Sequence, residues 1–600
     1  MARQLIKGLT LFKHPFNMRP SALRPLAACL LASHAVQASG LIPDIRADTN
    51  RDGLVDLEGN SDVYSKASWS DARGAIFLPN VGDKYMRCQN EDLAGNPLSN
   101  DELAYCNDGS GHLLLTPEYV APLKTVSLSN ISDGVTAHIY ATPRAAYERV
   151  RIFLLDDVNH PNTTDCALLG IDGREFVKDA EIWDGHVTVN FDVYETPGSA
   201  SHVRDSVALK VAPVLTHHHL QRVERLVTTD ANCTTPAQQY FVEQLDAARE
   251  AAGIEAPLLP FNQSSDVWAQ DILEPAYVSM PGPDGPISLQ IMLRSAQSTR
   301  TGGRQIMEQL RGPGFGSFQP GSASGICFAA SGLGYHTINS YGNLETIPPY
   351  RSKSGVLYKS GRGVQSTLFL ETGWLSVGHI DEFVQFLPYD NNLGFTVSIA
   401  SPRRALEIYT ETQSKGHGDN LTISFNAEPQ ITRFNQSMPE FLNLTVTDIL
   451  ANYIFLDVNA YAQKWIDFSL DILLGDIPLA REDVIEIPCL YHYTSTGDIY
   501  VRPDGLNNYW PPVLEGEYQV GAFLPGAING VVVGHHYISP NPFGPVVDGV
   551  DVIAQAVEAA CARAGMDVTF VDDYFSHHTS SGEVHCGSNT LRQTDSVWWQ

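Results

Sequence analysis

Between residue 40 and about 205, apolar positions come in short bursts separated by turn residues. Examples are Gly74-Ala75-Ile76-Phe77-Leu78, Thr136-Ala137-His138-Ile139-Tyr140 and Val150-Arg151-Ile152-Phe153-Leu154-Leu155. No long helical period interrupts them, and the spacing predicts short strands in a small β-sandwich over 40–205. From about Ser206 the pattern changes, and strands alternate with helices. In Val550–Ala564, Ile553, Val557, Ala560, Cys561 and Ala564 recur at helical spacing, with Gly565 placed to end the helix. Met566–Val571 reads as the strand that follows. Such alternation over 206–600 predicts an α/β or α+β catalytic domain without a repeat visible in the sequence.

A chain of 600 residues exceeds what one core usually spans, which agrees with two domains. Its 68 acidic and 39 basic side chains give a formal charge of −29, which disfavours nucleic acid and anionic membranes and favours cationic partners. Arginine-bearing proteins fit that sign. Basic residues at the N-terminus precede an apolar run from Pro25 to Val36, with Ala38 where a peptidase could cut, so residues 1–38 read as a signal peptide. The run is shorter than a membrane span. A secreted protein is expected, or a cytoplasmic one if that segment does not act as a signal. Asn130, Asn162, Asn232, Asn262, Asn420, Asn435 and Asn443 begin glycosylation sequons. No CxxC pair occurs among the nine cysteines, which argues against zinc ribbons and thioredoxin-like chemistry. Cys88 and Cys106 flank a polar loop that a disulfide could close in an oxidising compartment.

Four segments carry chemistry. Asp48-Thr49-Asn50-Arg51-Asp52-Gly53-Leu54-Val55-Asp56 sets oxygen side chains at alternate positions, with glycine sixth, as in the first half of a calcium loop. Gly59 stands where an EF-hand would place its bidentate Glu, so the expectation is a calcium loop inside a β-domain, with Asp48, Asn50, Asp52 and Asp56 as ligands. The plain alternative is an Asx-rich turn. Asp266-Val267-Trp268-Ala269-Gln270-Asp271-Ile272-Leu273-Glu274 by itself reads as a surface turn entering a strand. Gly378-His379-Ile380-Asp381-Glu382-Phe383, presented as a strand, would put His379 and Asp381 on one face. Finally, Cys586 lies between His585 and Gly587, where a nearby imidazolium would lower the thiol pKa towards the attacking thiolate. His585 is expected to point away from Cys586, leaving His379 as the better acid/base. His217-His218-His219 has no spaced partners and reads as a solvated loop, and His535-His536 and His577-His578 likewise show no ligand spacing.

In this order, these motifs resemble the protein-arginine deiminases, guanidino-group-modifying enzymes of the pentein fold. Lys66-Ala67-Ser68-Trp69, Val211-Ala212-Pro213, Asp572-Asp573-Tyr574 and Trp598-Trp599 extend the resemblance over nearly the whole chain after residue 38. It implies an α+β chain with an immunoglobulin-like sandwich followed by a five-bladed α/β propeller. Cys586 would be the nucleophile and His379 the general acid/base, while Asp271 and Asp381 would clamp the substrate guanidinium. Trp268 would wall the aliphatic stem and Arg300 would help hold the substrate backbone. Physical chemistry agrees, because arginine stays protonated and its N–H donors suit two carboxylates. The resemblance also implies calcium on Gln270, Glu274 and Glu345 with backbone oxygens of Tyr341 and Leu344. A second family calcium site lacks its ligands, Ile272 and Arg294 standing in their place, and the Arg294 charge is expected to replace that ion.

The activity implied is calcium-dependent conversion of peptidyl arginine to citrulline and ammonia. Two rivals are a deiminase or amidinotransferase on a small guanidino compound, and an inactive calcium-stabilised binding protein.

Overall fold

The computed structural model describes residues 42–128, 135–155, 167–199, 202–230, 235–261, 266–297, 300–319, 340–351, 357–358, 367–425, 427–434, 440–495, 498–499, 519–595 and 597–599. The expected signal segment and the sequons at Asn130, Asn162, Asn232, Asn262 and Asn435 lie outside the described residues. The chain is mixed α/β with many sheets. In its N-terminal third, strands Ile45–Ala47, Ala121–Thr125, Leu168–Gly173 and Val150–Leu154 form one antiparallel sheet. Ala75–Phe77, Val203–Val211, His186–Tyr194 and Thr136–Thr142 form a second. Their inward residues, including Phe77, Leu123, Ile171, Val189 and Leu209, share one core. That core continues into the rest of the chain through Tyr277, Leu289, Ile291, Trp598 and Trp599. A disulfide joins Cys88 to Cys106.

The remainder repeats one pattern that sequence comparison within the chain does not reveal. Strands Val384–Pro388 and Phe395–Ser401 pair antiparallel, helix Pro402–Thr412 follows, and Ile485–Pro488 returns parallel to the second strand. Val531–Val533, His536–Pro540, helix Val552–Ala562 and Asp567–Val571 repeat it. Leu273–Met280, Ile287–Arg294 and Phe315–Phe318 repeat the strand pairings, with a 3-10 turn and a π turn where the helix stands in the others. Local sequence explains the helix starts. Ser401 and Asp551 accept hydrogen bonds from the first-turn N–H groups of Arg404 and of Ile553 and Ala554, and Pro402 at the first helical position has no N–H to leave unpaired. Helix Val552–Ala562 ends before Gly565, whose φ of +65° suits a left-handed stop.

The fourth unit is completed by the far end of the chain. Val223–Thr229 leads through helix Pro236–Ala251 to the parallel strand Leu259–Phe261, and its antiparallel partner is Ser588–Arg592. Asn589 thereby sits opposite Val227, and Thr228 Oγ1 donates to Gly587 O at 2.9 Å. This closure carries the turn containing Cys586 back to the helical turn Ala269–Ile272, where Gln270 N donates to Cys586 O at 3.1 Å. Among the described residues, no helix is long and apolar enough to cross a membrane.

One buried ion pair ties the first sheet together. Arg151 and Asp172 are cross-strand partners, with Arg151 Nε donating to Asp172 Oδ1 at 2.8 Å, and their side chains are 3% and 0% exposed. Burial outweighs the Arg151 charge and holds the Asp172 carboxyl above its ordinary value, so the pair costs more to break than it contributes net. Asp172→Ala should destabilise the protein by about 3–5 kcal/mol, because it strands a buried guanidinium. Urea denaturation checks this, and an unchanged midpoint would contradict it.

Candidate active site

Turns rather than strands present the reactive groups. Trp268 precedes the helical turn Ala269–Ile272, whose four residues are all buried, and the chain passes straight into the strand holding Glu274. The surface turn expected there is an interior one. His379 caps the 3-10 turn Ile380–Glu382, its N–H donating to Glu382 Oε1 at 2.7 Å, and the strand starts only at Val384. The period-two presentation expected for His379 and Asp381 is therefore absent. The tighter turn still brings ligand atoms of His379, Asp381 and Cys586 within 4.8 Å of one another. His379 Nδ1 lies 3.8 Å from Asp271 Oδ1.

Around Cys586 the backbone also turns, with Ser588 N donating to His585 O at 3.0 Å. Adjacent side chains consequently converge on one carboxylate. His585 Nδ1 donates to Asp381 Oδ2 at 2.8 Å, and Cys586 Sγ lies 3.6 Å from the same oxygen. This corrects the expectation that His585 points away.

Sequence reasoning missed Asn529, which joins the two turns. Its Oδ1 accepts from Cys586 N at 3.3 Å, its Nδ2 donates to Asp381 O at 3.1 Å, and its carbonyl accepts from His585 N at 3.0 Å. Two glycines let the parts approach. A Cβ on Gly342 would fall 2.5 Å from His379 Nδ1, and one on Gly582 would fall 2.4 Å from the Trp268 ring. Trp268 thus packs against the cysteine turn. Arg300 reaches Asp271 itself, donating to Asp271 Oδ2 at 2.6 Å, to Asp266 Oδ2 at 2.7 Å and to Gln297 Oε1.

Charge at the site is one-sided. Burial, then Asp381 and Asp271, push the Cys586 thiol well above its usual range, which corrects the expected lowering by an imidazolium. Burial likewise raises Asp271, against the opposing pull of Arg300 and His379. Burial alone would lower His585, but its bond to Asp381 and the nearby Glu345 and Glu274 raise it instead.

Beside the thiol lies a cavity of about 30 Å³ lined by His217, His219, Gln270, Glu274, Glu345 and His585, among others. Gln270 Oε1 is buried without a hydrogen-bond partner, while Gln270 Nε2 donates to Glu274 Oε2 at 3.1 Å and to Tyr341 O at 3.3 Å. Burial, then Glu345, pushes Glu274 up to about 8, and burial pushes Glu345 up to about 7. Leu344 also lines the cavity. Orphaned oxygen and crowded carboxylates fit a hard cation such as calcium.

The N-terminal loop gathers oxygens too. Asp48 accepts from Asp52 N at 3.1 Å and Gly53 N at 2.9 Å, and Asn50 Nδ2 donates to Asp52 Oδ2 at 2.7 Å. Burial, opposed by the Gly53 bond and aided by Asp62 and Asp52, pushes Asp48 up to about 6. Asp56 instead accepts from Ser61 Oγ at 2.5 Å. The missed carboxylate is Asp62, fully buried, which accepts from Thr49 N at 2.7 Å and Asp56 N at 2.8 Å.

Arg294 is buried next to Ile272, with Nη1 donating to Gln319 Oε1 at 2.6 Å and Ser295 N donating to Ile272 O at 3.0 Å. The histidine triplet is not a solvated loop. Strand Leu215–Thr216 pairs with Leu273–Met280 and carries the triplet inward, so that His217 stacks on Tyr277 and His219 lines the cavity.

A buried thiol, two carboxylates and an imidazole form a site for a delocalised cation. The family model described as protein-arginine deiminase (PAD) matches residues 201–365 and 361–600, and the chain belongs to that family. Protein-arginine deiminase type-1 from Mus musculus is 26% identical over 639 residues, 98% of this chain and 86% of that protein. Type-4 from Homo sapiens is 26% identical over 426 residues, 66% of this chain, and the match spans just over half of that protein, 56%. The solved C. jejuni agmatine deiminase covers 64% of this chain and 98% of its own, at 11% identity and a TM-score of 0.30, too remote to inform the site.

Removing a negative neighbour favours the thiolate, so Asp381→Asn should lower the pH midpoint of Cys586 alkylation, and Asp271→Asn should lower it less. Peptide mapping separates Cys586 from the buried Cys489 and Cys561. An unmoved or raised midpoint in Asp381→Asn would show that the carboxylate does not hold the thiol protonated.

Proposed function

We propose that the chain hydrolyses peptidyl arginine to peptidyl citrulline and ammonia, depending on calcium. The observation that carries this reading is the meeting of Cys586, Asp381 and His379 within 4.8 Å, with Asp271 3.8 Å from His379. Asp271 and Asp381 accept the guanidinium N–H donors and turn its central carbon towards Cys586 Sγ. Trp268 flanks the aliphatic stem. Burial and then the two carboxylates keep the thiol protonated, and an entering cation neutralises the carboxylates, so substrate arrival itself favours the thiolate. Cys586 passes its proton to His379 and attacks the carbon, and His379 gives that proton to the leaving nitrogen, which departs as ammonia. A covalent thiouronium remains. Water, losing its proton to His379, adds to that carbon, and collapse expels the Cys586 thiolate and leaves citrulline.

Gln270, Glu274 and Glu345, with the carbonyls of Tyr341 and Leu344, would hold calcium, which when bound neutralises the crowded carboxylates behind Asp271. Asp48, Asn50, Asp52 and Asp62 are the corresponding candidates in the N-terminal loop. On this reading, the two N-terminal sheets, which run on to Val211, form an immunoglobulin-like domain. The repeated three-stranded units of 206–600 belong to a five-bladed pentein propeller. A protein substrate agrees with the charge of −29, and the Cys88–Cys106 disulfide supports secretion behind a signal over 1–38. Arg294, a fixed cation beside Ile272, takes the place of a second calcium ion.

A blocked arginine peptide and free arginine, each with calcium or excess chelator, test the reading. Citrulline and ammonia should form from the peptide, require calcium, and vanish in Cys586→Ala. Turnover of free arginine alone would indicate a small guanidino substrate, and absence of turnover in every condition would indicate a binding protein.

A further inference from the structure

The cavity behind the nucleophile carries nitrogen as well as oxygen. His219, Glu345 and His585 each turn one ligand atom into it, and these atoms lie within 4.8 Å of one another. We propose that this cavity is a binding site for a divalent transition metal of the zinc type, held by His219 Nε2, His585 Nε2 and the Glu345 carboxylate, in competition with calcium.

Both imidazoles are oriented from behind. His219 Nδ1 lies 2.9 Å from Phe386 O, a carbonyl that only accepts, so Nδ1 carries the proton and Nε2 faces the cavity as a lone pair. His585 Nδ1 is held in the same way by Asp381 Oδ2 at 2.8 Å. A ring nitrogen bonded to a carbonyl or carboxylate, with the other free, is the arrangement that backs histidine ligands in metal sites. His219 Nε2 to Glu345 Oε2 is 3.7 Å, and His585 Nε2 to Glu345 Oε1 is 4.0 Å. Neither distance is a hydrogen bond. An ion with bonds of about 2.0–2.2 Å to nitrogen and oxygen bridges such gaps with small adjustment.

Ligand chemistry distinguishes this set from the calcium set. Calcium takes oxygen, whereas imidazole suits zinc, copper and nickel. Glu345 belongs to both sets, and the cavity volume of about 30 Å³ leaves space for one small ion. Arg592 also lines the cavity, but four of its five N–H donors are committed elsewhere: Nη1 to His219 O and Gln221 O, Nη2 to Val532 O and Nε to Thr590 Oγ1. Glu345 and Glu274 offset its charge. The metal would stand two side chains from Cys586, through His585 and Asp381.

The inference rests on the cavity and not on deimination, and its test reads binding without turnover. Metal-free full-length protein is titrated with zinc against a chromophoric chelator, and with cobalt followed by its visible absorption. Calcium binding is measured by equilibrium dialysis with and without zinc. His219→Asn should weaken zinc by at least about tenfold and remove the cobalt bands, while calcium binding is kept. Zinc should displace one calcium ion from the wild-type protein, the one held in the cavity, and leave any calcium at the N-terminal loop in place, and Cys586→Ala should retain zinc. Zinc affinity unchanged in His219→Asn, or lost in Cys586→Ala, would overturn the site, as would zinc binding that displaces no calcium. Should circular dichroism show His219→Asn misfolded, His219→Gln gives the same comparison.

Discussion

The pairing of Ser588–Arg592 with Val223–Thr229 is the contact on which the site depends. It joins the last described strand to the unit that opens at Val223, across a separation of more than three hundred and fifty residues. Everything reactive hangs from that closure. Cys586 occupies the turn just before the strand, and Arg592 at its other end bonds the carbonyls of His219, Gln221 and Val532, gathering three separate segments round one buried guanidinium. A contact between distant strands carries a large loop-closure entropy, which must be outweighed by dense burial on both sides. Val227, Leu226 and Leu591 are almost wholly buried there, which supplies that burial.

Once closed, the structure concentrates acid where water is scarce. Asp271, Asp381 and Glu274 are buried near Cys586, and the Glu345 side chain is only 7% exposed, all faced by Arg300, Arg592 and the histidines. Burial holds Asp271, Glu274 and Glu345 above their usual pKa, and burial with the nearby carboxylates holds the Cys586 thiol protonated. Such a centre is incomplete in charge. A guanidinium at the two aspartates and a divalent cation at the two glutamates would correct separate parts of the same imbalance. Both would act on Cys586, one through Asp381 and Asp271 directly and the other through the His585–Asp381 bond.

How much of this was legible from the chain follows from what each residue does. Asp271, His379, Asp381 and Cys586 carry chemistry in their side chains, and their order along the chain was enough to group them. Asn529, Gly342 and Gly582 are spacers and clamps whose importance exists only after closure, and nothing local marks them. Asp62 escaped for a related reason: it lies beyond the regular calcium-loop spacing and returns through tertiary folding to accept from Thr49 and Asp56. In the fold, short strands early and strand-helix alternation later were readable from periodicity, although the strand Val203–Val211 runs across the boundary expected at 206. The repetition of three-stranded units was not, because hydrogen-bond topology can recur without recurring side chains.

The misread local conformations share one cause. Alternation of residues was taken to imply strands around His379 and Cys586, which would have sent neighbours to opposite faces. Both segments are turns instead. A turn allows consecutive side chains to reach one acceptor, and so His585 and Cys586 meet at a single oxygen of Asp381. The same folding-in moved His219 from an expected solvated loop to the wall of the cavity. A catalytic centre that must hold a nucleophile, its acid/base and a cation site within a few ångströms has little use for extended backbone, whose successive side chains diverge. Tight turns at the ends of well-packed strands solve that geometric problem, since the strands fix position while the turns gather functional groups.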